Sequence, residues 1–92
     1  MKVRARVKIF GKVQGVYFEH NMKKLAKRLN VVGWVKLLPD RSIEAVFQGE
    51  REKVEKLIKW CQSGPRSARV THIQVFWEKT NQKEEQDFKI LR

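Results

Sequence analysis

Hydrophobic periodicity along this 92-residue chain switches from two to about 3.6 residues and back, twice, and few folds bury such a series of stripes. Residues Lys2 to Ile9 alternate strictly. Val3, Ala5, Val7 and Ile9 share one face, and Lys2, Arg4, Arg6 and Lys8 share the other, as in a half-buried strand. Phe18, Met22, Leu25, Ala26 and Leu29 then follow helical spacing, with Lys23, Lys24, Lys27 and Arg28 outside, and the helix is predicted to end near Asn30. VVGWVKLL reads as a second strand. Pro39-Asp40-Arg41-Ser42 reads as a turn, and Ile43, Ala45 and Phe47 as the inner face of a third strand hairpinned to the second.

Val54, Leu57, Ile58 and Cys61 mark the buried stripe of a second helix, stopped by Gly64-Pro65. Val70 to Trp77 form a fourth strand, predicted to turn Thr71, Ile73, Val75 and Trp77 inward and Phe76 outward. TNQKEEQ is a polar connection, and DFKIL a short closing strand. The order β-α-β-β-α-β with one extra strand predicts a single domain over residues 1–92. Its fold class is α+β, a ferredoxin-like split β-α-β sandwich with two helices on one face of an antiparallel sheet. That plan hosts many unrelated activities, so function must be read from a site.

The 21 Lys and Arg against 10 Asp and Glu give a net charge of +11. Residues 1–41 hold 11 basic and 2 acidic side chains, net +9, a field that favours anionic partners without choosing among them. No apolar run is long enough to span a membrane, and the basic start alternates where a signal segment would be continuously apolar. A cytoplasmic monomer is expected. The single cysteine, Cys61, fits a reducing compartment and a place in the core, with a disulfide-bridged dimer as the alternative. No Cys and His spacing suggests a metal, and no cofactor is expected.

The stretch GKVQGVYFEH, Gly11 to His20, places two glycines before a helix start, an arrangement that presents backbone N–H groups to an anion. Gln14, Gly15, Val16, Tyr17 and Phe18 are the candidate anion-binding residues. Glu19 carries a negative charge into the same place.

Gly11-Lys12-Val13-Gln14-Gly15-Val16-Tyr17-Phe18 resembles the G-x-V-Q-G-V-x-F signature of the acylphosphatase family, between the first strand and the first helix as that family has it. A second signature is matched by Gly33, Trp34, Val35, Lys36, Ile43 and Gly49. Pro39-Asp40 and Gly64-Pro65 with Ala68-Arg69-Val70 are also similar, so the resemblance runs from Val3 to about Leu91. It implies metal-free hydrolysis of acyl phosphates, with loop amides and an arginine holding the phosphate and an asparagine orienting the attacking water. It also implies a phosphate or acyl-phosphate small molecule as the partner. Both family catalytic positions differ here: Glu19 stands at the arginine's place and Leu37 at the asparagine's. The turn glycine of the family is replaced by Arg41, which a type I turn is expected to tolerate.

These two changes have separate physical consequences. An arginine offers charge-assisted donors to phosphoryl oxygens, whereas a glutamate offers acceptors and a like charge. Two unit charges about 4 Å apart interact by about 4 kcal/mol at an effective dielectric near 20, so reversing the sign weakens an anion site substantially. Leu37 has neither donor nor acceptor and cannot hold a water. Glu19 is stabilised in turn by the helix dipole and is expected to act as a tethered anion in the loop. Three readings follow: a family member with lost or nearly lost catalysis, retaining weak phosphate binding; an active enzyme using a displaced cation, with Lys12, Lys36 and Arg41 as candidates; or a nucleic-acid-binding module using the basic face of the first strand. The third is the least favoured, because no stacking signature accompanies the charge. His20 and His72 read as surface or packing residues.

Overall fold

The computed structural model describes residues 2–80 and 86–91. In chain order the elements are β1 (Lys2–Lys12), α1 (Phe18–Arg28), β2 (Val32–Leu37), β3 (Ile43–Glu50), α2 (Arg51–Cys61), β4 (Arg69–Glu78) and β5 (Phe88–Leu91). The sheet order is β4-β1-β3-β2-β5. The first four strands pair antiparallel, and β5 runs parallel to β2, which makes the sheet mixed where a purely antiparallel one was expected. The polar connection expected at TNQKEEQ lies, at residues 81–85, outside the described residues.

The alternation of β1 becomes its two faces. Ala5, Val7 and Ile9 are fully buried with Val35, Ala45 and Phe47 of the neighbouring strands, and Phe18, Met22 and Ala26 of α1 and Val54, Leu57 and Cys61 of α2 join the same cluster. Both helices therefore cover one face, giving the ferredoxin-like α+β sandwich. Leu25 and Leu29, expected in the buried stripe, flank it half-buried, because the α1 stripe centres on Met22 and Ala26. Burial also holds the Cys61 thiol above its ordinary range, so this cysteine is an inert core residue.

β4 departs from its predicted face pattern. A bulge between Phe10 and Gly11 sets Val70 opposite Gly11 and His72 opposite Phe10, leaving Thr71 as the extra residue. Val70, Ile73 and Val75 consequently pack against the core, whereas Thr71 is exposed. Trp77 is 46% exposed near the end of this edge strand, with the Arg51 guanidinium 4.7 Å from its ring centroid. Phe76 points outward as expected.

Arg4 and Arg6 on the open sheet face meet carboxylates. The Arg4 Nε donates to Glu78 at 3.2 Å, and Arg6 donates to Glu78 at 2.8 Å and to Glu44 at 3.0 Å. Hydrogen bonds from Arg6 first, and Arg4 after it, hold the Glu78 carboxyl below its ordinary range. Such a depressed group contributes stability above its unfolded pKa and loses it as pH falls through the folded value. Thermal melts below about pH 4 should therefore show a steeper loss of Tm in the parent than in Glu78→Gln. Equal slopes would show that these pairs contribute nothing.

The β2–β3 connection corrects the expectation for Arg41. The Arg41 N–H donates to the Leu38 carbonyl at 3.0 Å and the Leu38 N–H to the Ser42 carbonyl at 2.9 Å, so Pro39, Asp40 and Arg41 form a three-residue loop. Such a loop is a type I turn followed by a left-handed residue, and Arg41 has φ 74°. A side chain in that region costs about 1–2 kcal/mol relative to glycine's freedom. Arg41→Gly should raise the denaturation midpoint by an amount equivalent to about 1 kcal/mol. An unchanged or lower midpoint would contradict the strained assignment.

Candidate active site

The loop from Val13 to Tyr17 connects β1 to α1, and its conformation follows from its residues. Val13 is buried and Val16 packs against the core, which anchors the loop at two points. Between them Gly15 adopts φ 76°, and a Cβ built there would meet nothing within 4 Å, so that side of the loop faces open space. Tyr17, 71% exposed, is the left-handed N-cap of α1 with φ 59° and ψ 27°. Its carbonyl accepts from the Asn21 N–H at 3.1 Å and from the Asn21 Nδ2 at 2.9 Å. Phe18 is fully buried.

No side chain caps α1, so the first N–H groups of the helix are without a capping partner. Donors at a helix start are of the kind that can serve an anion. The Gln14 side chain ties the loop to the β2–β3 connection. Its Nε2 donates to the Leu38 carbonyl at 2.9 Å and the Ser42 carbonyl at 3.0 Å. Asp40 completes that connection by accepting from the Ser42 N–H at 2.9 Å and from its hydroxyl, and these bonds hold the Asp40 carboxyl below its ordinary range.

Glu19 and Leu37, eighteen positions apart, line one cavity of about 320 Å³ together with His20, Ile90 and Leu91. Leu37 ends β2 on the helix-facing side that Gly33 and Val35 share, and β5 brings Ile90 alongside Val35 and Leu91 alongside Lys36. The Glu19 Oε2 is buried and has no hydrogen-bond partner among the described residues. The carboxylate thus makes no bond to the loop amides that it was expected to satisfy; the cavity that it lines is completed by three aliphatic side chains and His20. Neither a lysine nor an arginine lines this cavity among the described residues. Lys36 lies instead over Trp34, 5.9 Å from its ring centroid, and neither Lys12 nor Arg41 lines the cavity.

The family model for acylphosphatase matches residues 5–90 of this chain. The chain belongs to the acylphosphatase family. The acylphosphatase of Thermococcus kodakarensis is 51% identical over 77 residues, covering 84% of this chain and 85% of the relative. That of Pyrobaculum islandicum is 49% identical over 90 residues, covering 97% and 94%. The solved acylphosphatase of Coxiella burnetii superposes with a TM-score of 0.88 at 34% identity, covering 98% of this chain and 93% of that one. The acylphosphatase of Bacillus subtilis, at 24% identity and a TM-score of 0.92, has the same fold.

Ile90 and Leu91 escaped the sequence reading as members of the site. Nothing in their local pattern separates them from an ordinary closing strand; only the parallel pairing of β5 with β2 puts them beside Leu37.

Proposed function

We propose that this chain is an acylphosphatase-family protein whose hydrolysis of acyl phosphates is lost or nearly lost, leaving at most weak binding of phosphate or an acyl phosphate at the loop. The carrying observation is that Glu19 and Leu37 line the same cavity, with a partnerless carboxylate and three aliphatic neighbours among the described residues. The glycine loop leads into an uncapped helix start, yet Glu19 in the first turn sets a negative charge where phosphoryl transfer needs positive charge and a held water. The displaced-cation reading loses support because none of Lys12, Lys36 and Arg41 lines that cavity. The nucleic-acid reading loses support because Arg4 and Arg6 are engaged by Glu44 and Glu78. The proposal takes residues 1–92 as one domain acting as a cytoplasmic monomer.

Titration with inorganic phosphate, followed through the amide resonances of Gln14 to Glu19, tests this reading. The parent should bind at least roughly tenfold more weakly than Glu19→Arg, since the substitution exchanges repulsion for attraction. Equal affinity in the two proteins would overturn it.

A further inference from the structure

A second concave surface lies apart from the loop, between α1 and the segment that leads into β4. Asn21, Lys24, Leu25 and Arg28 of α1 face Trp60, Pro65 and Arg66 across a cavity of about 660 Å³, within the size range of small-molecule sites. Three cations line it and no carboxylate does. Arg4, Arg6 and Arg51 all meet carboxylates elsewhere on the molecule, whereas Lys24, Arg28 and Arg66 make no ion pair or hydrogen bond with a described side chain. Leu25, Pro65 and Trp60 supply an apolar surface among these charges. Trp60 is held in place by Phe18, edge to face at 5.2 Å between ring centroids.

From this arrangement we infer a binding site for a small phosphorylated molecule that carries at least two negative charges and a flat apolar group. Three cations without a partner among the described residues line one space, so they act together on a compact polyanion where a single charge would gain little. Two of the three are arginines, whose planar guanidinium groups donate in pairs to phosphoryl oxygens. The aromatic wall gives a flat group a surface to cover, and the attraction to charge and the burial of the ring add in one ligand. The site is distinct from the Glu19 and Leu37 cavity and does not depend on whether that cavity is catalytic.

The test uses ADP as the probe, with pyrophosphate for the charge alone and adenosine for the ring alone, on the full chain at fixed ionic strength. Amide and indole resonances of Asn21, Lys24, Arg28, Trp60 and Arg66 report occupancy. ADP should bind at least roughly tenfold more tightly than either part and move this set. The variant Arg28→Gln with Arg66→Gln should weaken ADP by about tenfold or more. A control that removes the same charge from α2, Lys53→Gln with Lys56→Gln, should change it by less than about twofold. Equal weakening by both variants would assign the binding to the diffuse field of a basic protein and overturn the site. So would shifts confined to Gln14–Glu19, pyrophosphate matching ADP, or a single-stranded RNA displacing ADP with shifts spread over the open sheet face.

Discussion

Restoring both family residues together, Glu19→Arg with Leu37→Asn, is expected to raise kcat/KM on a small acyl phosphate by about a thousandfold or more over the parent. Removing one preorganised donor from an oxyanion-type site typically costs about 10² to 10³ in rate, and on the proposed reading two groups are missing. Each single change should achieve little. With Glu19→Arg alone the phosphoryl group is held, but Leu37, at the edge of the cavity, leaves the attacking water without a partner. With Leu37→Asn alone a water has a partner, while the carboxylate still repels the substrate. The two groups act on the same reacting atoms, so the double change should exceed the product of the single effects. The measurement is kcat/KM for the parent and three variants, with each fold checked by circular dichroism. A folded but inert double variant would show that the Gly15 loop lacks a phosphate-holding geometry.

The second large effect concerns the residue that joins this loop to the core. Phe18 ends the loop, begins α1 and is fully buried, with its ring against Trp60 and against Gly64. Gly64 has φ 68°, and a Cβ there would come within 2.3 Å of the Phe18 ring, so the turn after α2 is shaped around this side chain. The Gly64 N–H closes that turn on the Trp60 carbonyl at 2.8 Å. Phe18→Ala removes a ring from a space that α1, α2 and the turn enclose together and that cannot easily collapse. The expected cost is about 3–5 kcal/mol, a large share of the roughly 5–15 kcal/mol that stabilises a domain. Urea denaturation measures it, and Phe18→Leu, retaining most of the volume, should lose much less. A loss below about 1 kcal/mol in Phe18→Ala would contradict the packing described here.

Much of the fold was legible because each stripe has one physical solution. The strict alternation of Val3 to Ile9 requires a strand with one buried face, and the spacing of Phe18, Met22 and Ala26 requires a helix lying on it. The features that were not legible depend on pairing across the sheet. The bulge that turns Val70 inward and Thr71 outward arises from how β4 meets β1 at Phe10 and Gly11, and no residue of β4 announces it. Arg41 looked tolerable at its turn because a type I turn admits most residues; the strain comes from the left-handed residue that closes the three-residue loop. The basic stripe of β1 was visible as charge, but its neutralisation by Glu44 and Glu78 required β3 and β4 to flank β1.

The candidate site divides in the same way. The glycine loop and the two divergent positions stand out in the sequence because a motif carries them. Their convergence needed α1 to begin beside the end of β2, and the aliphatic wall needed β5. The side-chain role of Gln14 was hidden for a related reason, since its acceptors lie 24 and 28 residues away. The tethered-anion expectation for Glu19 followed from helix-dipole physics, which acts within the first turn. The observed carboxylate instead has a buried oxygen without a partner among the described residues.

Steady-state hydrolysis of one small acyl phosphate by the unaltered protein bears most directly on the central claim. With Glu19 repelling the dianion and Leu37 leaving the water unheld, the rate should match the uncatalysed background at every accessible protein concentration, after contaminating activity is removed. A rate that rises in proportion to protein, saturates with substrate and survives exchange of purification method would contradict the account.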